Sequence, residues 1–220
     1  MGSFQPSQDS AKRGGKPGKI LAPLDLHLRD VKWGQYRIGD FFSSSNGDFD
    51  IQKSHINDKG EWVITAGLTN NGILGRTDVK AKVFEANTIT IDMFGAAFYR
   101  QFQYKLVTHA RVFSLKPNFE MTKQQGLFFA NAMTYFKSQF GYSNMCSWEK
   151  IRSKHISLPQ TSAGEIDFEF IDKFVRELER ARLRELEAYL VATGLNNYEL
   201  TVSDKAALIV FLPFNGSLSL

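Results

Sequence analysis

The distribution of apolar residues along the chain predicts a mixed body followed by one long helix. Four segments of the body are rich in β-branched or aromatic residues and are bounded by Gly, Asn or Pro, which is typical of strands. They are residues 61–67, 87–93, 96–100 and 110–116. The polar segment 69–78 contains Asn-Asn-Gly and is predicted to be a loop, because these residues tolerate positive φ.

Helical spacing of apolar residues occurs once within the body and once after it. In residues 122–140, Thr122 and Gln125 have the spacing of a capping box, and an aromatic stripe follows that we interpret as core packing. The fold class is therefore predicted to be α+β with a mixed sheet. The second helix is predicted to start near Ala163, because Ser162 and Glu165 have the same spacing, and to end before Gly194.

One face of this second helix is apolar. It consists of Ile171, Phe174, Val175, Leu178, Ala181, Leu186, Tyr189 and Leu190. A helix over residues 165–192 is about 42 Å long at 1.5 Å per residue, which is more than the body could cover. Because burial of a large apolar side chain contributes roughly 1.5–3 kcal/mol, we expect a partner helix to cover the face. The alternative is that the helix folds back onto its own body.

Length and composition indicate a soluble globular protein. A chain of 220 residues has room for one domain of about 150 residues and an appendage. The single cysteine excludes an internal disulfide and favours a cytoplasmic location. The longest apolar run, residues 206–213, is too short to span a membrane. Residues 1–30, rich in Gly, Ser, Pro and Lys near their start, are interpreted as a flexible leader.

Charge is distributed unevenly between the body and the helix. Residues 31–164 contain 16 Lys and Arg against 10 Asp and Glu, a net charge of +6. Residues 165–187 contain 5 against 8, a net charge of −3. The basic body permits a nucleic-acid partner, although lysine-rich solvated surfaces are common.

No pattern typical of catalysis or metal binding is found in the sequence. The four histidines are scattered singly, and no glycine-rich phosphate-binding loop is present. Cys146 is interpreted as an ordinary buried cysteine. A nuclease would need converging carboxylates, and the D-x-K triplets at residues 30–32 and 78–80 lack a convincing second one. We therefore predict no catalytic residue, no metal and no cofactor in this chain.

Three segments, in this order, resemble the specificity (S) subunits of type I restriction-modification systems. They are residues 31–42, residues 63–75 leading into 87–104, and residues 142–179. The most specific parts are Ile-x-Leu-Pro at 156–159 and Gly-Glu-Ile-Asp-Phe at 164–168. The resemblance covers residues 31–195.

The resemblance implies a target recognition domain at 31–160 that reads one half of a split site in double-stranded DNA. Residues 161–195 would be the conserved helix, which forms an antiparallel coiled coil and docks the modification (methyltransferase) subunits. Those subunits would bind S-adenosylmethionine and methylate adenine, with a restriction subunit as an optional partner. This chain would be a non-catalytic subunit. The alternative is a coiled-coil scaffold or protein-interaction module without DNA specificity.

A full-length family member carries two recognition domains and two helices, whereas this sequence contains one of each. We therefore expect a half-length subunit that forms a homodimer through the long helix and reads symmetric half-sites. Residues 196–220 are interpreted as a truncated linker or tail. No membrane partner is predicted.

Polar residues on turn-rich segments are the candidates for DNA contacts. Asparagines can bind adenine bidentately, arginines can bind guanine or phosphate, and lysines suit phosphate. For each of them the alternative is a solvated loop residue. The candidates are Lys53, Asn70, Asn71, Arg76, Lys80, Tyr99, Arg100, Gln101, Gln103, Lys105, Ser143 and Asn144.

Overall fold

A computed structural model describes residues 28–195 of the chain. Most of the predicted leader and all of the predicted tail lie outside these residues. The described strands are β1 (Trp33–Arg37), β2 (Phe42–Asn46), β3 (Glu61–Ile64), β4 (Ile73–Thr77), β5 (Thr88–Ile91), β6 (Ala97–Arg100), β7 (Tyr104–Leu106), β8 (Phe113–Pro117) and β9 (His155–Pro159). The helices are α1 (Lys123–Ala132), α2 (Trp148–Ile151) and α3 (Phe168–Ala192). The predicted α+β class with a long C-terminal helix is confirmed.

The strands form three small sheets. Strands β2-β8-β5-β6 make an antiparallel four-stranded sheet, and β4-β3-β7 make a mixed sheet in which β3 and β7 are parallel. Strands β1 and β9 pair antiparallel, with Trp33 opposite Pro159. The two ends of the head, residues 31–160, therefore meet where the chain leaves for α3.

Two apolar clusters fill the head. The first lies where the four-stranded sheet meets α1 and the start of α3, and it contains the fully buried Phe129, Met133 and Phe136. The second lies beside the mixed sheet. Tyr104 belongs to the second cluster, yet its hydroxyl lies 2.7 Å from Thr88 Oγ1 and 2.6 Å from Ser114 Oγ of the four-stranded sheet. Buried hydrogen bonds thus join the two sheets.

The four predicted strands are present as β3, β5, β6 and β8, with ends shifted by a few residues. The prediction of a loop over all of 69–78 is wrong, because residues 73–77 form β4 and pair with β3. Gly75 interrupts the alternation of apolar and polar residues that would have indicated a strand in the sequence. Pairing with β3 makes this segment a strand instead. The short strands β1, β2 and β7 were not predicted.

The first helix begins as the sequence predicts. Thr122 accepts a hydrogen bond from the Gln125 amide at 3.1 Å, and the Gln125 side chain accepts one from the Thr122 amide. Helix α1 ends at Ala132, and a 3₁₀ turn follows at Thr134–Ser138. Of the predicted stripe, Ala130, Met133 and Phe136 are buried and Phe128 and Phe140 pack against the core, whereas Leu127 is 38% exposed, so most of the stripe is core as predicted.

Helix α3 begins later than predicted. Residues 161–165 form a turn, in which the Gly164 amide donates to the Thr161 carbonyl at 3.1 Å. Gly164 has a φ of 89°, which is incompatible with a right-handed helix. The helix is capped instead by Asp167, whose carboxylate accepts a hydrogen bond from the Phe170 amide at 2.9 Å. The predicted start near Ala163 is therefore wrong.

Replacing Asp167 by alanine is expected to lower the free energy of unfolding by about 1 kcal/mol, because the cap satisfies an amide that has no other partner within the helix. Ser162→Ala is the matched control, since Ser162 has the sequence spacing of a cap but lies in the turn before it. Urea unfolding followed by circular dichroism measures both. A loss from Ser162→Ala as large as that from Asp167→Ala would contradict the assignment.

The first half of α3 packs on its own head. Ile171 is fully buried, and Asp172 accepts hydrogen bonds from Thr122 Oγ1 at 2.6 Å and from Gln125 Nε2 at 3.1 Å. Val175 is buried, and Phe174 contacts the head through aromatic packing. The expectation that Ile171 and Val175 face a partner helix is therefore wrong, because the head already covers them, whereas Phe174 is only half-buried.

The second half of α3 keeps its large apolar side chains exposed. The exposed fractions are 59% for Leu183, 52% for Leu186 and 61% for Tyr189, and Val191 is exposed as well, whereas Leu190 is half-buried; Leu178, in the first half, is 36% exposed. Leu183 was not among the predicted face residues. Helix α3 therefore packs on the head only as far as about Glu179, and beyond this residue its side chains are mostly exposed.

Candidate nucleic-acid interface

Three segments that are distant in the sequence meet at one edge of the head. The Gly67 amide donates to Asp92 Oδ2 at 2.8 Å, and the Cys146 amide donates to the Met93 carbonyl at 2.8 Å. The rings of Phe94 and Tyr142 pack edge to face with centroids 5.0 Å apart. We call residues 67–72, 92–95 and 142–146 the loop edge.

Asp92 organises the loop edge as a structural residue. Its side chain is buried and accepts hydrogen bonds from the amides of Gly67, Phe94 and Ala96 at 2.8–2.9 Å. Backbone amides therefore occupy this carboxylate, which compensates for its burial. Its role is to hold the loops together.

The turn between β3 and β4 carries both predicted asparagines. Asn70 and Asn71 have φ values of 48° and 52°, and Gly72 follows at 74°. The left-handed region costs an ordinary L-residue roughly 1–2 kcal/mol, and asparagine visits it more readily than most. Both asparagine side chains are exposed, and the Asn70 side chain donates to the Ile73 carbonyl at 3.3 Å.

A cleft of about 820 Å³ adjoins the loop edge. Tyr142 is 78% exposed beside it, and Lys150 donates to the Asn144 side chain at 2.8 Å and to the Met145 carbonyl at 2.7 Å. Cations and an exposed ring at one cleft suit a nucleic-acid backbone and its bases. Its lining includes Asn46, Arg111, Tyr142, Ser143, Trp148 and Lys150, together with the carboxylate of Glu149.

Of the predicted DNA-contact residues, Ser143 lines this cleft and Asn144 lies beside it, whereas Arg111, Tyr142 and Lys150 were not among the candidates. Arg111 has a φ of 49° and follows the Thr108 turn, so the interpretation of residues 110–116 as one strand concealed it. The turn composition Gly-Tyr-Ser-Asn at 141–144 was the available signal for Tyr142.

Arg100 and Lys105 do not lie on the surface as expected. Arg100 is 2% exposed, and its guanidinium donates to Thr90 Oγ1 at 2.9 Å and to the Asn71 carbonyl at 2.7 Å. Burial lowers the pKa of Arg100 to about 10, which still leaves it charged at neutral pH. The expectation of an exposed side chain that contacts guanine or phosphate is wrong, because internal partners hold these donors.

Lys105 is buried for a similar reason. Its ammonium group donates to the Thr77 and Val79 carbonyls at 3.2 and 2.6 Å and lies 2.8 Å from the Glu61 carboxylate. The hydrogen bond from the Lys105 ammonium to the Glu61 carboxylate lowers the pKa of Glu61 below its ordinary value. Lys105 therefore joins β7 to the strand β4 and to β3, and the expectation of an exposed phosphate contact is wrong.

The other predicted residues lie on segments outside the loop edge. Arg76 is half-buried, with Nε 2.8 Å from the Gly60 carbonyl, and Tyr99 donates its hydroxyl hydrogen to Asn87 at 2.6 Å. Burial raises the pKa of Tyr99. Exposed side chains are found at Lys53, Lys80, Gln101 and Gln103. Their DNA-binding role stays a prediction.

Cys146, His55 and His109 are of residue types used in catalysis and metal binding, but here they are buried or hydrogen-bonded within the head. Cys146 is buried, and burial raises its pKa to about 12, so little thiolate forms near neutral pH. His109 lies 2.5 Å from Asp50, and His55 Nδ1 accepts from the Gln52 amide. Within residues 28–195, no three His, Cys, Asp or Glu side chains are placed to hold a metal ion.

Nor does any helix in this part of the chain have the length and apolar character of a membrane span.

The head and most of α3 together match one protein family. Residues 30–188 match the type I restriction modification DNA specificity domain, and the chain belongs to this family of restriction-modification specificity subunits. The match begins before β1 and ends within α3, so it includes the head and most of the helix. The resemblance stated from the sequence is thereby confirmed.

Individual relatives are more distant. The specificity subunit S.BcgI of a type II restriction enzyme from Heyndrickxia coagulans is 24% identical over 155 residues, which are 69% of this chain and 45% of the relative. A solved structure concerning assembly and conformational transition of the type I restriction-modification system is 15% identical with a TM-score of 0.50, over 81% of this chain and 44% of that one. It shows a similar fold.

A second solved structure is the type I system S subunit from M. genitalium. It is 16% identical with a TM-score of 0.46, and the match covers 81% of this chain and 49% of that chain. The chain thus spans about half the length of the relatives that it matches.

Proposed function

We propose that this chain is the DNA-recognition (specificity) subunit of a restriction-modification complex and that its head reads one half of a bipartite DNA site. The observation that carries the proposal is the family match, which runs from the start of the head into α3 as one unit. A recognition head and a helix that extends beyond it are the two parts that this function needs. The chain itself would be non-catalytic.

At the loop edge, sequence reading and backbone binding would be separate tasks. Asn71 presents an amide that can pair bidentately with adenine, and the Asn70 amide would do so on leaving the Ile73 carbonyl. Arg111 and Lys150 at the cleft supply positive charge for phosphates, and Tyr142 supplies a ring for sugar or base contact. Affinity would therefore depend mostly on the cleft, and selectivity mostly on the turn.

The exposed half of α3 would pair with the same helix of a second copy, in an antiparallel arrangement. Its apolar side chains, including Leu183, Leu186 and Tyr189, support this role because their exposure would be relieved by a partner. A homodimer of this kind would read two identical half-sites related by a two-fold axis. The modification subunits would dock on the paired helices, bind S-adenosylmethionine and methylate adenine, and a restriction subunit could join them.

Co-expression with the modification subunit, followed by single-molecule methylation sequencing, tests the function. We expect co-purification of the two proteins and adenine methylation confined to one bipartite motif. The matched variant Asn70→Ala/Asn71→Ala should still co-purify but relax or change that motif. Co-purification with methylation at no defined motif would instead support the scaffold alternative, and an unchanged motif in the variant would exclude the two asparagines as base contacts.

A further inference from the structure

The turn that carries the two asparagines has an unusual backbone. Asn70, Asn71 and Gly72 all have positive φ, and only the glycine is free of a Cβ. Local hydrogen bonds hold its ends, since the Thr65 amide donates to the Gly72 carbonyl at 2.8 Å and the Asn71 amide to the Leu68 carbonyl at 3.1 Å. Two consecutive left-handed asparagines need further support to stay in one conformation.

Arg100 supplies that support from the neighbouring sheet. Its Nη2 donates to the Asn71 carbonyl at 2.7 Å, while its Nε donates to Thr90 Oγ1 at 2.9 Å. The guanidinium also lies over the ring of Phe98, 5.1 Å from its centroid. Thr90 and Arg100 belong to the four-stranded sheet, whereas Asn71 lies in the turn that joins β3 and β4 of the mixed sheet. A buried cation is therefore bonded across the boundary between the sheets.

We infer that Arg100 is a positioning residue for base reading, which acts by fixing the Asn71 carbonyl so that the Asn71 side chain is presented in one orientation. The inference rests on the proposed function. A planar guanidinium suits this task because its donors are fixed in direction, so one side anchors on Thr90 while another holds the turn. A lysine has the charge but donates from a single atom, so it cannot reproduce both bonds in this geometry.

The test has one measurement on the chain alone and one on the complex. In Arg100→Lys, hydrogen exchange at residues 69–72 should accelerate at least tenfold while exchange in β5 and β8 is unchanged. The second measurement compares a duplex that the wild-type complex selects from a random pool with a scrambled duplex. In the co-purified Arg100→Lys complex, the Kd for the scrambled duplex divided by the Kd for the selected duplex should be about tenfold lower than in the wild type, which is the scale of one base contact. Arg111→Ala is the control, and it should weaken both duplexes equally.

A double-mutant cycle separates positioning from a general structural effect. If Arg100 acts through Asn71, then Arg100→Lys should leave the Kd ratio unchanged in an Asn71→Ala background. An equal loss in both backgrounds, or unchanged exchange at residues 69–72, would overturn the inference. If Arg100→Lys does not fold, Thr90→Val is the second variant, because it removes the acceptor of the hydrogen bond from Arg100 Nε. Its effects on hydrogen exchange and on the Kd ratio should have the same direction but be smaller.

The proposed function can fail independently of the inference. A wild-type complex that binds every duplex equally would refute sequence reading by this head. The exchange measurement on the chain alone would then still decide whether Arg100 orders the turn.

Discussion

Replacing Lys105 by methionine is expected to lower the free energy of unfolding by about 2–3 kcal/mol. The substitution keeps the apolar stem but removes the buried ammonium, so the Thr77 and Val79 carbonyls lose a donor and Glu61 loses its partner. Removing one member of a buried pair typically costs 3–5 kcal/mol, and we take less here because the Glu61 side chain is 34% exposed to water. Urea unfolding at pH 7 measures the loss.

Lys116→Met is the matched control for this prediction. Lys116 forms an ion pair with Glu85 at 2.6 Å, but the two side chains are 62% and 68% exposed. An exposed pair contributes little, so the expected loss is below about 0.5 kcal/mol. Equal losses in the two variants would show that burial of Lys105 does not decide its contribution.

The same ion pair predicts a pH dependence. Because the hydrogen bond from Lys105 lowers the pKa of Glu61 in the folded state, the stabilisation is present above the unfolded pKa of the carboxyl, about 4.3. It is lost as the pH falls through the lower, folded pKa. The stability difference between wild type and Lys105→Met should therefore shrink as the pH falls below about 4.

Local patterns of the sequence predicted the elements whose cause is local. The Thr122 capping box, the β-branched strands and the long helix could all be read from neighbouring residues. Strand β4 could not, because its order comes from pairing with β3 rather than from its own alternation. The start of α3 was mispredicted because the spacing of Ser162 and Glu165 is equally compatible with a turn, and the φ of Gly164 decides between them.

The candidate site was predicted less well, for a physical reason. Whether a cation contacts DNA depends on which face of its strand it occupies and on what lies opposite. Arg100 and Lys105 looked like Arg111 and Lys150 in the sequence, but the first two are buried whereas the others are exposed and line the cleft. Register across sheets sets this difference, and neither composition nor spacing reports it.

The exposed half of α3 leads to the prediction with the largest effect on assembly. At 100° per residue, Leu183, Leu186 and Leu190 lie within about 60° of one another around the helix. If a second copy covers this strip, Leu183→Asp/Leu186→Asp removes two buried leucines, each worth about 1.5–3 kcal/mol. The dimer Kd should therefore rise at least a hundredfold, and sedimentation velocity at about 10 µM should show a dimer for the wild type and a monomer for the variant.

Val191→Asp is the control, because Val191 is 63% exposed and lies about 80° to 140° around the helix from the three leucines of the strip. It introduces the same residue into the same helix, so any general loss of helicity affects both variants. Only the strip variant should dissociate. A wild-type chain that sediments as a monomer at this concentration would refute pairing with a second copy. Because the head covers Ile171 and Val175 by itself, neither variant should unfold the head.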